Sequence, residues 1–186
     1  MLSNFQIRKA ARCLEAGGVI AYPTEGVYGI GCLPGYPDAV ARVITIKGRS
    51  ADAGLILIAA DLELLDDWIA PTADELENLQ RPMEYPTTWI VTARPGVHPL
   101  LTGGRDTLAV RITDHPLAAA LSVATGEPLV STSANRSGNP PAMTAFQARL
   151  KLGRSLDYVI SGSLGGASGP SEIRVAIDNR VLRAAS

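Results

Sequence analysis

This sequence has almost no net charge. Its 17 basic side chains are balanced by 18 acidic ones, leaving −1. That excludes a protein that coats nucleic acid over much of its surface, while a local basic cleft stays open. Aromatic residues make up only 5% of the chain, which leaves few platforms for stacking unpaired bases. The two cysteines, Cys13 and Cys32, have no metal-type spacing and read as free thiols in a reducing compartment. The two histidines, His98 and His115, are not spaced as a metal pair. No apolar run approaches the ~20 residues that span a bilayer, and the longest, Leu55 to Ala60, is strand length. The first residues, Met1 to Gln6, lack the basic and then apolar layout of a signal peptide. Together these absences predict a soluble, cytoplasmic protein. The common catalytic and nucleotide-binding signatures are missing too. There is no Gly-Lys-Ser/Thr phosphate loop, no Gly-x-Ser-x-Gly nucleophile turn, and no third glycine to complete a dinucleotide fingerprint around Gly29 and Gly31.

What is present is globular. Apolar residues make up 46% and charged residues 19% of 186 positions, enough for one domain, 1–186, with a full core and no staples. Helical spacing of Ile7, Ala10, Ala11 and Leu14 predicts a helix from Asn4 to Ala16, stopped by Gly17 and Gly18. Further helices are expected from Pro37 to near Gly48, Asp61 to Ile69, Thr72 to Leu79, Pro116 to Thr125 and Ala145 to Leu152. Strands are expected at Val19–Tyr22, Gly54–Ala60, Thr88–Ala93, Leu108–Ile112, Leu129–Thr132 and Leu156–Ile160, with a hairpin of Ile173–Ile177 and Val181–Arg183. The alternation of strands and helices, followed by clustered strands, predicts an α/β sandwich with a mixed parallel and antiparallel sheet. Polar loops follow many of the strands, and ligands in open α/β sheets sit at strand carboxyl ends.

Five stretches stand out. Pro23 to Gly31, PTEGVYGIG, sets Thr24 and Glu25 at a strand end before glycines that let backbone approach closely; it reads either as a ligand loop or as a tight connection around a buried Tyr28. Lys47-Gly48-Arg49-Ser50 ends a helix, where basic groups suit the helix dipole or, aimed into a cleft, neutralise phosphates as a point charge and a bidentate fork. Along Asp106 to Pro116, Thr107, Ala109 and Arg111 share one strand face. A guanidinium beside a buried strand needs an anion, either a ligand or a local carboxylate such as Asp114; His115 reads as a cap before Pro116. In STSAN, Ser131, Ser133 and Asn135 alternate onto one face and offer donors to an acceptor-rich ligand. Ser161 to Arg174 is a small-residue loop, either a mobile connection or a lid.

The order of these stretches resembles the threonylcarbamoyl-AMP synthase family of the YrdC/TsaC type, from about Arg8 to Arg183, with PTEGVYGIG and STSAN together as the most specific pieces. The chain is similar to the short bacterial form, without the extra C-terminal domain of longer members. The resemblance implies a twisted α/β sandwich with a concave basic cleft. It also implies synthesis of threonylcarbamoyl-adenylate and diphosphate from L-threonine, bicarbonate or CO2, and ATP. A downstream complex then transfers the threonylcarbamoyl group to tRNAs reading codons that begin with A. By the same resemblance Lys47 and Arg49 hold the ATP phosphates as the catalytic pair. Thr107, Ser133, Asn135 and Pro141 contact the nucleotide. Thr24, Arg111, Ser131 and Ser171 surround threonine, with Tyr28 close by. Mg2+ arrives with ATP, since no acidic cluster reads as a metal cage, and there is room for weak direct tRNA binding. Two departures are visible: Met83 to Thr88 keeps only the later proline and the threonine of the family's Trp-Pro-Gly-Pro-x-Thr, and Ser50 stands where proline usually follows Lys-x-Arg. The competing expectation is a non-enzymatic RNA-binding module that uses the same basic cleft.

Overall fold

A computed structural model describes residues 4–167 and 169–185. Nine strands form one sheet: β1 (Ile20–Pro23), β2 (Tyr28–Gly31), β3 (Ile56–Ala59), β4 (Thr87–Thr92), β5 (Thr107–Ile112), β6 (Leu129–Ser133), β7 (Tyr158–Val159), β8 (Glu172–Val175) and β9 (Val181–Arg183), in the order β7-β1-β2-β6-β3-β5-β4-β8-β9. The sheet is mixed as expected. β1 with β7, β3 with β5 and β4 with β8 run parallel, and the other neighbours run antiparallel. Among the described residues six α-helices pack on it: α1 (Asn4–Glu15), α2 (Pro37–Lys47), α3 (Ala73–Leu79), α4 (Pro99–Thr102), α5 (Pro116–Thr125) and α6 (Ala145–Leu152).

The register sorts side chains onto two faces. One face carries Ile30, Leu57, Val91, Leu108, Val110 and Val130, which join buried residues of α2, α3, α4 and α6 in the larger core. The other face carries Ile20, Tyr22, Ile58 and Leu129, which pack against Ile7, Ala10 and Leu14 of α1 and Leu117, Ala118 and Leu121 of α5. Further along this second face the side chains shrink. Gly29 pairs with Ser133, and Ile56 lies between Ser131 and Ala109. Small polar residues cannot hold a helix by apolar burial, so the sheet stays bare there and a concave surface results.

Three local expectations need correction. The glycine-rich stretch after Tyr22 contains an inner strand, β2, whose glycines admit neighbouring backbone; a Cβ on Gly31 would lie 1.7 Å from the Val130 carbonyl oxygen. Asp61 to Ile69 forms only a single 3₁₀ turn, Glu63–Leu65, because its end turns into an isolated bridge between Ile69 and Ala93. Between the expected strands Thr88–Ala93 and Leu108–Ile112, where no element is expected, lies α4, a short helix capped by His98, whose Nδ1 accepts from the Leu100 N–H. Elsewhere the signals match. Thr72 and Glu75 form a reciprocal capping box, and His115 caps α5 by accepting from the Ala118 N–H at Nδ1.

Candidate active site

A cavity of about 280 Å3 opens on the bare part of the second face. Thr24 at the end of β1, Ser131 and Ser133 on β6, Thr107 and Arg111 on β5, Arg49 after α2 and Ser171 before β8 all line it. The guanidinium of Arg111 and the hydroxyls of residues 131 and 133 therefore share one side of the sheet. The carboxyl-end rule holds for β1 and β6, but β3, β5 and β8 present their amino ends, because a mixed sheet cannot aim all its strands one way.

Arg111 is buried and its partner is not local. Asp114 is exposed; instead Arg111 Nη2 donates to Glu25 Oε2 at 3.1 Å, across 86 residues of sequence. Thr113 Oγ1 donates to the other Glu25 oxygen at 2.5 Å. This leaves Arg111 Nε buried with no partner among the described residues. A buried donor without a partner costs about 1–3 kcal/mol, and the residue that carries it lines the cavity. Around it, Thr24 Oγ1 donates to the Val27 carbonyl, and Ser171 Oγ shares a hydrogen bond with Thr88 Oγ1 at 2.8 Å. Gly29 keeps this floor open: a Cβ there would crowd Ser131 Oγ and Thr24 Cγ2, each at 3.3 Å.

Lys47, Asn135 and Pro141 are outside the cavity wall. Lys47 is only 4% exposed, and its Nζ donates to the Ser133 carbonyl (2.7 Å), Ser133 Oγ (3.0 Å) and Asn135 Oδ1 (2.8 Å). Burial, helped by the Arg49 charge, lowers its pKa to about 8. Asn135 Nδ2 donates to the Arg136 and Asn139 carbonyls, so this side chain ties the end of STSAN to α2. The Pro141 carbonyl lies 3.4 Å from Lys151 Nζ. Tyr28 lies between two lining residues, Val27 and Gly29, but does not itself line the cavity. It faces the larger core, and its hydroxyl donates to the Gly162 carbonyl and accepts from the Gly162 N–H. The segment beyond is stitched over β1, with Gly165 and Ala167 N–H groups donating to the Thr24 and Glu25 carbonyls.

Sequence reasoning missed three wall residues that matter. In the sequence Glu25 belongs to a strand-end motif, and its role needs a contact across 86 residues. Arg105 and Arg183 carry no motif of their own. Arg183 Nη2 donates to the Ser171 carbonyl at 2.6 Å, and its pKa is lowered by burial and then by Arg111 and Arg49. Arg49, Arg105, Arg111 and Arg183 thus face one cavity whose sole lining carboxylate among the described residues is Glu25. Such a wall selects an anion.

Comparison with known proteins agrees with this geometry. The family model Sua5_yciO_yrdC, described as telomere recombination, matches residues 12–185. A Nitrosococcus oceani protein named threonylcarbamoyl-AMP synthase is 52% identical over 181 residues, covering 97% of this chain and 98% of that protein. A Pseudomonas paraeruginosa protein of the same name is 43% identical over the full length of both. Among solved structures, P. abyssi Sua5 complexed with L-threonine superimposes with a TM-score of 0.84 at 31% identity, covering 93% of this chain and 52% of that one. E. coli YciO gives a TM-score of 0.83 at 26% identity, covering 100% and 91%. The open-faced mixed sheet and the extent of these matches lead to one conclusion: the chain belongs to the Sua5/YciO/YrdC family.

Proposed function

We propose that this chain is an L-threonylcarbamoyladenylate synthase, a nucleotidyltransferase that serves tRNA modification as one cytoplasmic domain. The observation that carries the reading is a cavity walled by hydroxyls and guanidiniums, one of them Arg111, whose buried Nε has no partner among the described residues. An amino acid carboxylate satisfies Arg111, with Thr24, Ser131 and Ser171 around the rest of threonine. ATP lies alongside, with its phosphates at Arg49 and its nucleoside toward Thr107 and Ser133. Lys47 acts from beneath, fixing Ser133 and Asn135 and adding its charge to the phosphate side; Pro141 and Asn135 shape the loop that follows.

The chemistry needs no protein nucleophile. The neutral threonine amine adds to CO2 and loses a proton, giving a carbamate. A carbamate oxygen attacks the α-phosphorus of ATP, the bond to the β-phosphate oxygen breaks, and diphosphate leaves with that electron pair. What the chain supplies is alignment of the two substrates and fixed positive charge where charge accumulates. Its residues do not form a metal cage: the described residues include no group of three His, Cys, Asp or Glu side chains suited to an ion, and Glu25 is committed to Arg111 and Thr113. Mg2+ would enter with ATP and keep water ligands.

The names of the relatives and the threonine complex of P. abyssi Sua5 support the synthase over an RNA-binding module. The test is to incubate the protein with threonine, bicarbonate, Mg2+ and ATP labelled at the α-phosphate. Label in threonylcarbamoyl-AMP, with an equal yield of diphosphate, is expected. No adduct, together with salt-sensitive tRNA retention that ATP does not displace, overturns the reading.

A further inference from the structure

Beyond Arg49, the phosphate end of the cavity contains a second cation. The short turn Ala51–Ala53 follows Ser50, whose Oγ accepts from the Asp52 N–H at 3.3 Å. Two guanidiniums grip successive carbonyls of this turn: Arg49 Nη2 donates to Ala53 O at 3.1 Å and Arg105 Nη1 to Asp52 O at 2.8 Å. Arg105 comes from the loop before β5 and lies across two glycines with left-handed backbone, Gly54 (φ 64°) and Gly103 (φ 66°). A Cβ at either would approach Arg105 Nη2 to 2.7 or 2.8 Å, so the backbone leaves a slot that the guanidinium fills.

Both arginines line the cavity, and neither has a carboxylate within ion-pair distance among the described residues. The charge of Arg105 is also felt at Arg49, adding to burial in lowering its pKa. Two like charges fixed at neighbouring carbonyls repel unless an anion lies between them. A guanidinium that spends one N–H on a carbonyl still has four donors in a rigid fork, suited to phosphate oxygens.

We propose that Arg105 is a phosphate-binding residue, forming with Arg49 a two-guanidinium clamp for the diphosphate portion of the nucleotide and for the diphosphate product. This rests on the reading that a nucleotide occupies the cavity. Ser50 supports the clamp by capping the turn whose carbonyls hold both arginines.

The test uses inorganic diphosphate alone, titrated calorimetrically into the wild-type chain, Arg105→Gln, Arg105→Ala and, as a control on the exposed surface, Arg154→Ala. Gln keeps an N–H donor for the Asp52 carbonyl, so the turn has a means of persisting when the charge is gone. Both Arg105 variants are expected to weaken diphosphate binding at least tenfold, about 1.4 kcal/mol, with a shallower dependence on salt. Threonine affinity and melting temperature of Arg105→Gln stay at wild-type values, and Arg154→Ala changes diphosphate binding less than twofold. Wild-type diphosphate affinity in Arg105→Gln overturns the proposal, as does parallel loss of threonine and diphosphate binding. Arg105-dependent diphosphate binding in a chain that makes no threonylcarbamoyl-AMP upholds the clamp and sinks the synthase reading. A chain that makes the adenylate but binds diphosphate independently of residue 105 does the reverse.

Discussion

Arg111 and Glu25 hold each other in a setting where neither charge is well hydrated, and this separates their structural from their functional worth. Arg111→Met strands the Glu25 carboxylate, and breaking a buried pair in this way costs about 3–5 kcal/mol. Adding Glu25→Gln removes the stranded charge. Urea denaturation of the double variant is therefore expected to recover most of the lost stability, while calorimetric titration still finds threonine binding abolished; recovery of both would mean that Arg111 serves only the fold. Lys47 gives a prediction in pH. Its folded-state pKa of about 8 lies below the ordinary lysine value of 10.5, so between these limits the unfolded chain binds more protons than the folded one. Stability contributed by this site therefore rises as pH goes from about 8 to 10.5. Nucleotide affinity is expected to fall over the start of the same interval as the ammonium is lost. In Arg49→Ala the midpoint moves upward, because the second cause of the depression is gone. Chemical denaturation and ATP-analogue titration across pH 7–10.5 check both slopes.

At the scale of elements, β1, β2 and β6 show how sequence pattern builds the pocket. Gly31→Ala drives a Cβ into the Val130 carbonyl at 1.7 Å and is expected to prevent β2 from seating between β1 and β6, seen as loss of the cooperative melt. Gly29→Ala meets only side-chain atoms at 3.3 Å. It should fold, with a small drop in melting temperature and threonine affinity reduced several-fold, because Ser131 and Thr24 must give way. Equal outcomes for the two variants would contradict the assigned register. The amphipathic α1, the proline-started α2 and α5, the capping box of α3 and the closing hairpin were all legible from periodicity and caps. β2 was not, since glycine in a strand signals close backbone approach only once the neighbouring strand is known. The single turn at Glu63–Leu65 and the short α4 failed for the opposite reason: tertiary hydrogen bonds, such as Ala70 N–H to the Thr92 carbonyl, decide segments too short for periodicity to govern. Strand alternation already put Arg111 on one strand face and Ser131 with Ser133 on another, while Thr24 and Ser171 were expected at the site only through the family resemblance; all five line the cavity. Arg105 and Arg183 were not legible, since an arginine's direction from a loop or a terminal strand has no local signature.

For the whole molecule, a nearly neutral chain concentrates positive charge by arrangement. One sheet face carries the larger core. The other is covered only where Ile20, Ile58 and Leu129 give α1 and α5 something apolar to bury. Where Gly29, Ser131, Ser133, Ala109 and Thr107 replace them, the sheet stays open and four arginines gather around the gap. The site is thus a consequence of where the core stops. Amino acid and nucleotide are expected to lie together on that uncovered face. A crystal structure of the protein soaked with L-threonine and a non-hydrolysable ATP analogue measures it directly. The prediction is a threonine carboxylate within hydrogen-bond distance of Arg111 Nε, with the phosphate chain running toward Arg49 and Arg105. Either ligand bound outside this cavity, or threonine bound with Arg111 Nε still without a partner, contradicts it.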